Sequence, residues 1–365
     1  MNTEPTQRST RGRPLKVALI TDLHFGARSD SQQFDNFFRK FYTECFFPYL
    51  EEHGIKTIFD LGDTFDRRKY INYNTLKSCK EYFFDKAREL GIDIQMIPGN
   101  HDTYYKNTNN VNSPELLLSE YENVIVCEEP TEIDLDGTKI LFLPWLCAEN
   151  YHSTMERVKE TDAKVCFGHF EFSGYDMYRG MANPHGMDPS GFRDFDLVVS
   201  GHFHHRHSRG NITYMGNPYE ITWSDYDDPR GFAIFDSGTQ QLEYINNPFK
   251  MFHKLYYDDT GDSCIADNFD FSSIRNGCVK LIVSKKTDYV KFDGFVDALY
   301  QQDLTELKIL EDLSEFEDEA IGEEVDLDDT MTLLKEYVDG VQTELDKEVL
   351  KNLLQSLYVE AQDLG

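Results

Sequence analysis

Basic residues are scarce: the 365-residue chain carries 36 Lys and Arg against 66 Asp and Glu, a formal charge of −30. Affinity for a phosphate backbone rises with the number of cations that neutralise it, so the composition speaks against passive binding to nucleic acid. Any such contact must run through local patches, metals or a partner. No apolar stretch approaches the roughly 20 residues of a membrane span, and the opening MNTEPTQRSTRGRPLK has no apolar h-region. A soluble, cytoplasmic protein with no membrane contact is expected. The seven cysteines, at 45, 79, 127, 147, 166, 264 and 278, are an odd number with no C-x-x-C pair. They suggest neither a disulfide framework nor a cysteine zinc site. What is present is globular: 40% hydrophobic and 14% aromatic residues, ample for a large core and two domains of ordinary size.

Residues 1–15, with Arg8, Arg11 and Arg13 among Thr, Ser, Pro and Gly, read as a basic, aperiodic tail. From Lys16 the pattern changes to short apolar runs, each closed by a polar cluster: VALITDLH, TIFDLGD, IQMIPGNHD, KVCFGHF and DLVVSGHFH. Helical spacing over 34–53, 73–90 and 112–122 separates several of them, which predicts a largely parallel α/β sheet. ITYMGNP, GFAIFD and LEYINN then predict a second sheet layer, so that 16–249 forms a two-layer β-sandwich flanked by helices. Residues 250–310, with the strand VKLIVSKK and the helix GFVDALYQQ, are expected to form a small α+β accessory, capping domain. Between 311 and 329 there are eleven acids and no base, the composition of an extended linker. Residues 330–365 return to helical periodicity, with an apolar stripe from Leu333 to Tyr358 broken near Asp339-Gly340. Two short helices cannot bury that stripe alone; they fold back on the body or dock on a partner.

In an open α/β sheet, ligands bind beyond the carboxyl ends of the strands. Here those ends hold Asp22 and His24, then Gly62-Asp63, Gly99-Asn100-His101-Asp102, Gly168-His169 and Gly201-His202-Phe203-His204. Each has an ordinary explanation as a turn, but five in succession predict a metal site. The residue types suit phosphodiester hydrolysis, which benefits from two cations about 3.5–4 Å apart that neutralise the phosphate and activate water. A carboxylate must bridge such a pair, and Asp63 is the candidate. Imidazoles and the Asn100 amide suit manganese, iron or zinc rather than a thiolate or all-oxygen calcium site. Arg67, Arg68 and Lys69 follow a ligand loop, and His205, Arg206, His207 and Arg209 follow the last one; either cluster serves as a DNA-backbone contact or as a solvated loop. Tyr104, Tyr105, Tyr175, Tyr178 and Trp223 are candidates for base stacking, with packing the commoner fate in a chain of 21 Tyr and 27 Phe.

D-x-H, G-D, G-N-H-D, G-H and G-H-x-H in this order resemble the calcineurin-type metallophosphoesterase superfamily, over residues 16–205. G-D-x-F-D at 62–66, I-P-G-N-H-D at 97–102, F-L-P-W at 142–145, and G-N-P-Y with D-P-R-G-F at 228–232 resemble more narrowly the SbcD-type double-strand-break repair nucleases, including those of T-even-like bacteriophages. The resemblance implies one manganese on Asp22, His24, Asp63 and His204 and a second on Asp63, Asn100, His169 and His202, with magnesium, iron or zinc as other occupants. It also implies that His101 faces the scissile phosphate, with Asp102 orienting its imidazole. It implies DNA ends as substrate, a homodimer through the apolar faces of 73–90 and 112–122, and a heterotetramer with an SbcC-type coiled-coil ATPase that docks the helical tail. Many cellular members have a histidine where this chain has Asp66, which reads as a cap or turn residue. Rival functions are a phosphatase or cyclic-nucleotide phosphodiesterase on the same metal core, and a DNA-end tethering or scaffolding subunit.

Overall fold

The strands at the centre of the protein are apolar on both faces because each lies between two other layers. In Lys16–Ile20, Val17 and Leu19 join one buried cluster while Ala18 and Ile20 join another. Period-two alternation therefore separates two kinds of neighbour rather than core from solvent. In a computed structural model, residues 15–261 and 263–311 are described, together with positions 338, 347, 350, 351, 353 and 354. The remainder, including nearly all of the acidic linker and most of the helical tail expected from the sequence, lies outside the described residues.

Two six-stranded sheets form the body. In the first, Lys16–Ile20, Thr57–Asp60, Asp93–Met96 and Val124–Val126 run parallel, Gly231–Asp236 adds antiparallel to Lys16–Ile20, and Gln241–Asn246 pairs antiparallel with Gly231–Asp236 at the edge. In the second, Thr138–Leu143, Val165–His169, Leu197–Gly201 and Ile212–Tyr214 run parallel, with antiparallel Thr131–Leu135 and His207–Arg209 at its edges. A layer containing Val17, Leu19, Phe59, Phe142, Val165, Phe167, Val199 and Phe235 fills the space between them. The outer face of the first sheet is covered by the helical stretches 32–53 and 73–89, each interrupted by a π-turn at 42–46 and 80–84. The helix Tyr151–Glu160 supplies Val158 to the outer face of the second sheet.

The sandwich has the expected two layers, but its strands are distributed differently. KVCFGHF and DLVVSGHFH belong to the second sheet, and GFAIFD and LEYINN return to the first. Most of the apolar residues expected to pair two copies pack within the chain. Phe83, Phe84 and Ala87 are fully buried against the first sheet, as is Leu118, whereas Leu116 is exposed.

The chain divides into two compact units, Met1–His253 with Asp270–Val279 and Ala298–Leu307, and Lys254–Phe269 with Lys280–Asp297 and Lys308–Gly365. The segment 250–310 is thus shared rather than set apart at one boundary. In the second unit the Tyr257 ring meets Phe292 at 5.0 Å, and Asp259 accepts the N–H groups of Thr287 and Asp288, both at 2.8 Å. Among the described residues no helix is long and apolar enough to cross a membrane.

Candidate metal centre

The five loops meet because both sheets direct the carboxyl ends of their parallel strands to one edge of the sandwich. Their approach is close enough to dictate glycine. A Cβ on Gly99 would lie 2.4 Å from the Asp63 backbone nitrogen, and one on Gly201 would lie 2.0 Å from Thr21 Oγ1. The turns themselves are tight: Asp22, His24, Asp63 and His202 all have positive φ, at 55°, 44°, 55° and 87°. Left-handed backbone is uncommon for such residues and gathers at functional sites, where surrounding structure over-determines it.

Among the described residues three groups of donor atoms result, Asp22 with His24 and His204, Asp63 with His169 and His202, and His24 with Asp66 and His101; within each, one atom from every residue lies within 4.8 Å of the others. His24 Nε2 and His204 Nε2 face one another at 3.1 Å, with Asp22 Oδ1 3.9 Å from both. In the second group Asn100 Oδ1 is 2.8 Å from His202 Nδ1 and 3.1 Å from His169 Nε2. Asp63 Oδ2 reaches the first two groups, 3.2 Å from His169 Nε2 and 4.0 Å from His24 Nε2. Two imidazole nitrogens pointed at each other, beside buried carboxylates, form the donor set of a cation site. His169 donates Nδ1–H to the Leu61 carbonyl at 2.7 Å, which leaves Nε2 as its inward atom.

The electrostatics separate the histidines. Burial would lower His24, but Asp66, Asp63 and Asp22 outweigh it and raise the group to about 9. His169 is raised to about 9 by Asp63 and Asp22 against the same burial. Burial, reinforced by His169, lowers His202 to about 3, and burial with His24 holds His204 well below its ordinary value. Asp63 is held well below the carboxylate range; burial would raise it, and His169 and His101 overcome that.

Two expectations change. The Asp102 carboxylate does not meet the His101 ring; it accepts the backbone N–H groups of Gly99, Phe65 and Thr64 at 2.9, 3.0 and 3.2 Å, tying two ligand loops together. Asp66 supplies the orienting contact: its backbone carbonyl lies 2.7 Å from His101 Nδ1. The Asp66 carboxylate sits 3.4 Å from His24 Nδ1, so it faces the site rather than capping the next segment. Of the basic residues, Arg67 pairs with Asp30 at 3.1 Å. Arg68 is half-buried, whereas Lys69 and Arg209 are exposed. Arg206 donates to Met215 O and Asn246 Oδ1 and lies over the Tyr244 ring, and His205 meets Asp228 at 2.9 Å.

The downstream motifs find their use in support of the ligand loops. Tyr219 donates its hydroxyl to the carbonyl of Leu23, between Asp22 and His24, at 2.5 Å. Arg230, 5% exposed, donates to the His204 carbonyl and Asn217 Oδ1. It also pairs with Asp225 and Asp228 at 3.0 and 2.9 Å. Trp145, at the end of F-L-P-W, places its ring 5.3 Å from that of His202. No role for Tyr219, Arg230 or Trp145 follows from their residue types alone; the signal was the presence of their motifs.

Residues 15–206, a span ending just beyond the last histidine ligands, match the Calcineurin-like phosphoesterase family, and the chain belongs to it. It is a phosphoesterase of the divalent-metal kind. Beyond that class, the chain is 31% identical over 355 residues to exonuclease subunit 1 of Enterobacteria phage T4, a likeness covering 95% of this chain and 99% of that one. It is 24% identical over 269 residues to the SbcD component of the nuclease SbcCD of Staphylococcus epidermidis, covering 64% of this chain and 69% of that one.

Proposed function

We propose that the chain is a metal-dependent DNA nuclease that hydrolyses phosphodiester bonds at DNA ends in recombination, repair and replication. The observation that carries this is the pairing of two donor groups about one shared carboxylate with full-length similarity to an exonuclease subunit. The ligands are Asp22, His24, Asp63 and His204 for one divalent cation and Asp63, Asn100, His169 and His202 for the other, with manganese the preferred ion. Two such cations, when bound, neutralise the phosphate and bring the pKa of water toward neutrality.

The protein's own groups do the rest. His101, steered through Nδ1 by the Asp66 carbonyl, presents Nε2 to the substrate and passes a proton to the leaving oxygen. Asp102 keeps the Gly62-to-Phe65 and Gly99-to-Asp102 loops in register. The partner is a coiled-coil ATPase of the SbcC type, which the name of the staphylococcal relative supports, in an assembly with two copies of this chain. Residues 330–365 dock on that ATPase.

Release of nucleotides from DNA ends, with manganese and magnesium compared and with the ATPase present or absent, tests the reading. Asp63→Ala should abolish hydrolysis and metal binding in a folded chain. Full manganese-supported activity in that variant would refute the assignment.

A further inference from the structure

We infer that the Asp66 carboxylate is a positioning group for the first cation: it takes the outward N–H of His24 and so fixes which nitrogen of that imidazole is turned to the metal. This rests on the two-cation reading above and deepens it.

The backbones of the first two ligand loops bring the two residues together. His24 N donates to the carbonyl of Asp63 at 3.0 Å, Phe25 N donates to that of Thr64 at 2.9 Å, and Asp66 N returns to the Phe25 carbonyl at 3.1 Å. The loops thus run side by side as paired strands do, with Phe25 bridged in parallel to Phe65. That ladder carries Asp66 to the flank of His24.

The two nitrogens of the His24 ring have different tasks. Nε2 faces His204 Nε2 at 3.1 Å and is the atom offered to a cation, so in the neutral ring the proton sits on Nδ1. His24 is 4% exposed, and among the described residues its Nδ1 finds no well-aligned acceptor. The group before it is the Asp66 carboxylate, 3.4 Å away. Hydrogen bonds in such centres are often long until the ligand is bound. A protonated Nδ1 cannot also ligate, so the cluster of His24, Asp66 and His101 receives a proton rather than a third cation.

Asp66 divides its work between two rings that meet edge to face at 4.9 Å. Its backbone carbonyl holds His101 Nδ1, a contact that survives any substitution, and its carboxylate addresses His24, a contact that does not. His169, a ligand of the second cation, gives its outward N–H to the neutral Leu61 carbonyl instead. Of these two ligands, His24 alone depends on a side chain for its acceptor. Partners of this kind orient a ligand histidine and make it more basic.

The test is a manganese titration of the full chain followed by the electron paramagnetic resonance of the free ion, which gives the number of bound equivalents and their dissociation constants. The unaltered chain should bind two. Asp66→Ala should weaken one constant by about 10- to 100-fold and leave the other in place. Asp66→Asn, which keeps an acceptor of the same size without the charge, should lie between. Two unchanged constants in Asp66→Ala would overturn the positioning role and leave the two-cation reading intact. Equal loss of both constants, together with a lower melting temperature of the metal-free variant, would also overturn it by showing that the residue only supports the loops. Three equivalents in the unaltered chain would make Asp66 a ligand, and none would overturn both this role and the metal centre on which it rests.

Discussion

Arg230 offers the sharpest test of how the ligand loops are held, because its effect is calculable without reference to turnover. Its guanidinium neutralises Asp225 and Asp228, whose side chains are 1% and 5% exposed, and donates to the carbonyl of His204. Arg230→Ala leaves two buried carboxylates without their cation; His205, 2.9 Å from Asp228, compensates only one of them. Removing one partner from a buried ion pair costs about 3–5 kcal/mol. With a urea dependence near the upper end of about 1–3 kcal/mol per molar, the unfolding midpoint should fall by about 1–2 M. Arg230→Lys, which keeps the charge but not the fork that spans both acids, should lie between. The assay is urea denaturation followed by tryptophan fluorescence, with manganese affinity measured alongside, since the loss of the donor to His204 frees one ligand. A midpoint within about 0.3 M of the unaltered protein would refute the reasoning, because it corresponds to less than about 1 kcal/mol.

His101→Ala should lower turnover by about 10²- to 10⁴-fold while manganese content, read by elemental analysis, stays intact; loss of metal would make it a ligand instead. His24 and His169, raised to about 9 in the metal-free protein, contribute stability that is fully present below the unfolded value near 6.5 and disappears as pH rises through about 9. Metal requires the same imidazoles neutral, so manganese affinity should climb over that window as metal-free stability falls. Calorimetric titrations and melting curves from pH 6 to 10 check both, and a flat metal-free melting temperature between 6.5 and 9 would contradict the assignment. Truncation after Asp329 should leave melting and manganese-dependent nuclease activity unchanged while removing binding to the ATPase; retained full-affinity binding would refute the docking role.

The five loops were legible because each concentrates chemistry-bearing residues where an apolar run stops. The sheet to which each strand belongs was not legible, because strands buried on both faces look alike. Val17 and Ala18 are equally apolar, yet one faces the second sheet and the other faces helices. The hairpin of Thr131–Leu135 and Thr138–Leu143 escaped notice although Asp136-Gly137, both at positive φ, is a strong hairpin signal. Helix 73–89 showed its apolar face in the spacing, but spacing does not say whether a sheet or a second copy covers it. Asp66 misled because its use is tertiary: its backbone carbonyl, which any residue would possess, holds the His101 ring.

The antiparallel pairing of Gly231–Asp236 with Lys16–Ile20 also sets when the enzyme can exist during its own synthesis. By His204 the emerging chain already contains every metal ligand. Tyr219 and Arg230, which hold the first and last ligand loops, and the strands that close the first sheet come later. At about 5–20 residues per second, the ribosome takes roughly 2–8 s to pass from His204 to Asn246. Throughout that interval the nascent nuclease carries a complete set of ligands on an open frame. The first and last ligand loops therefore gain their Tyr219 and Arg230 supports only as the end of the body returns to pair with its first strand.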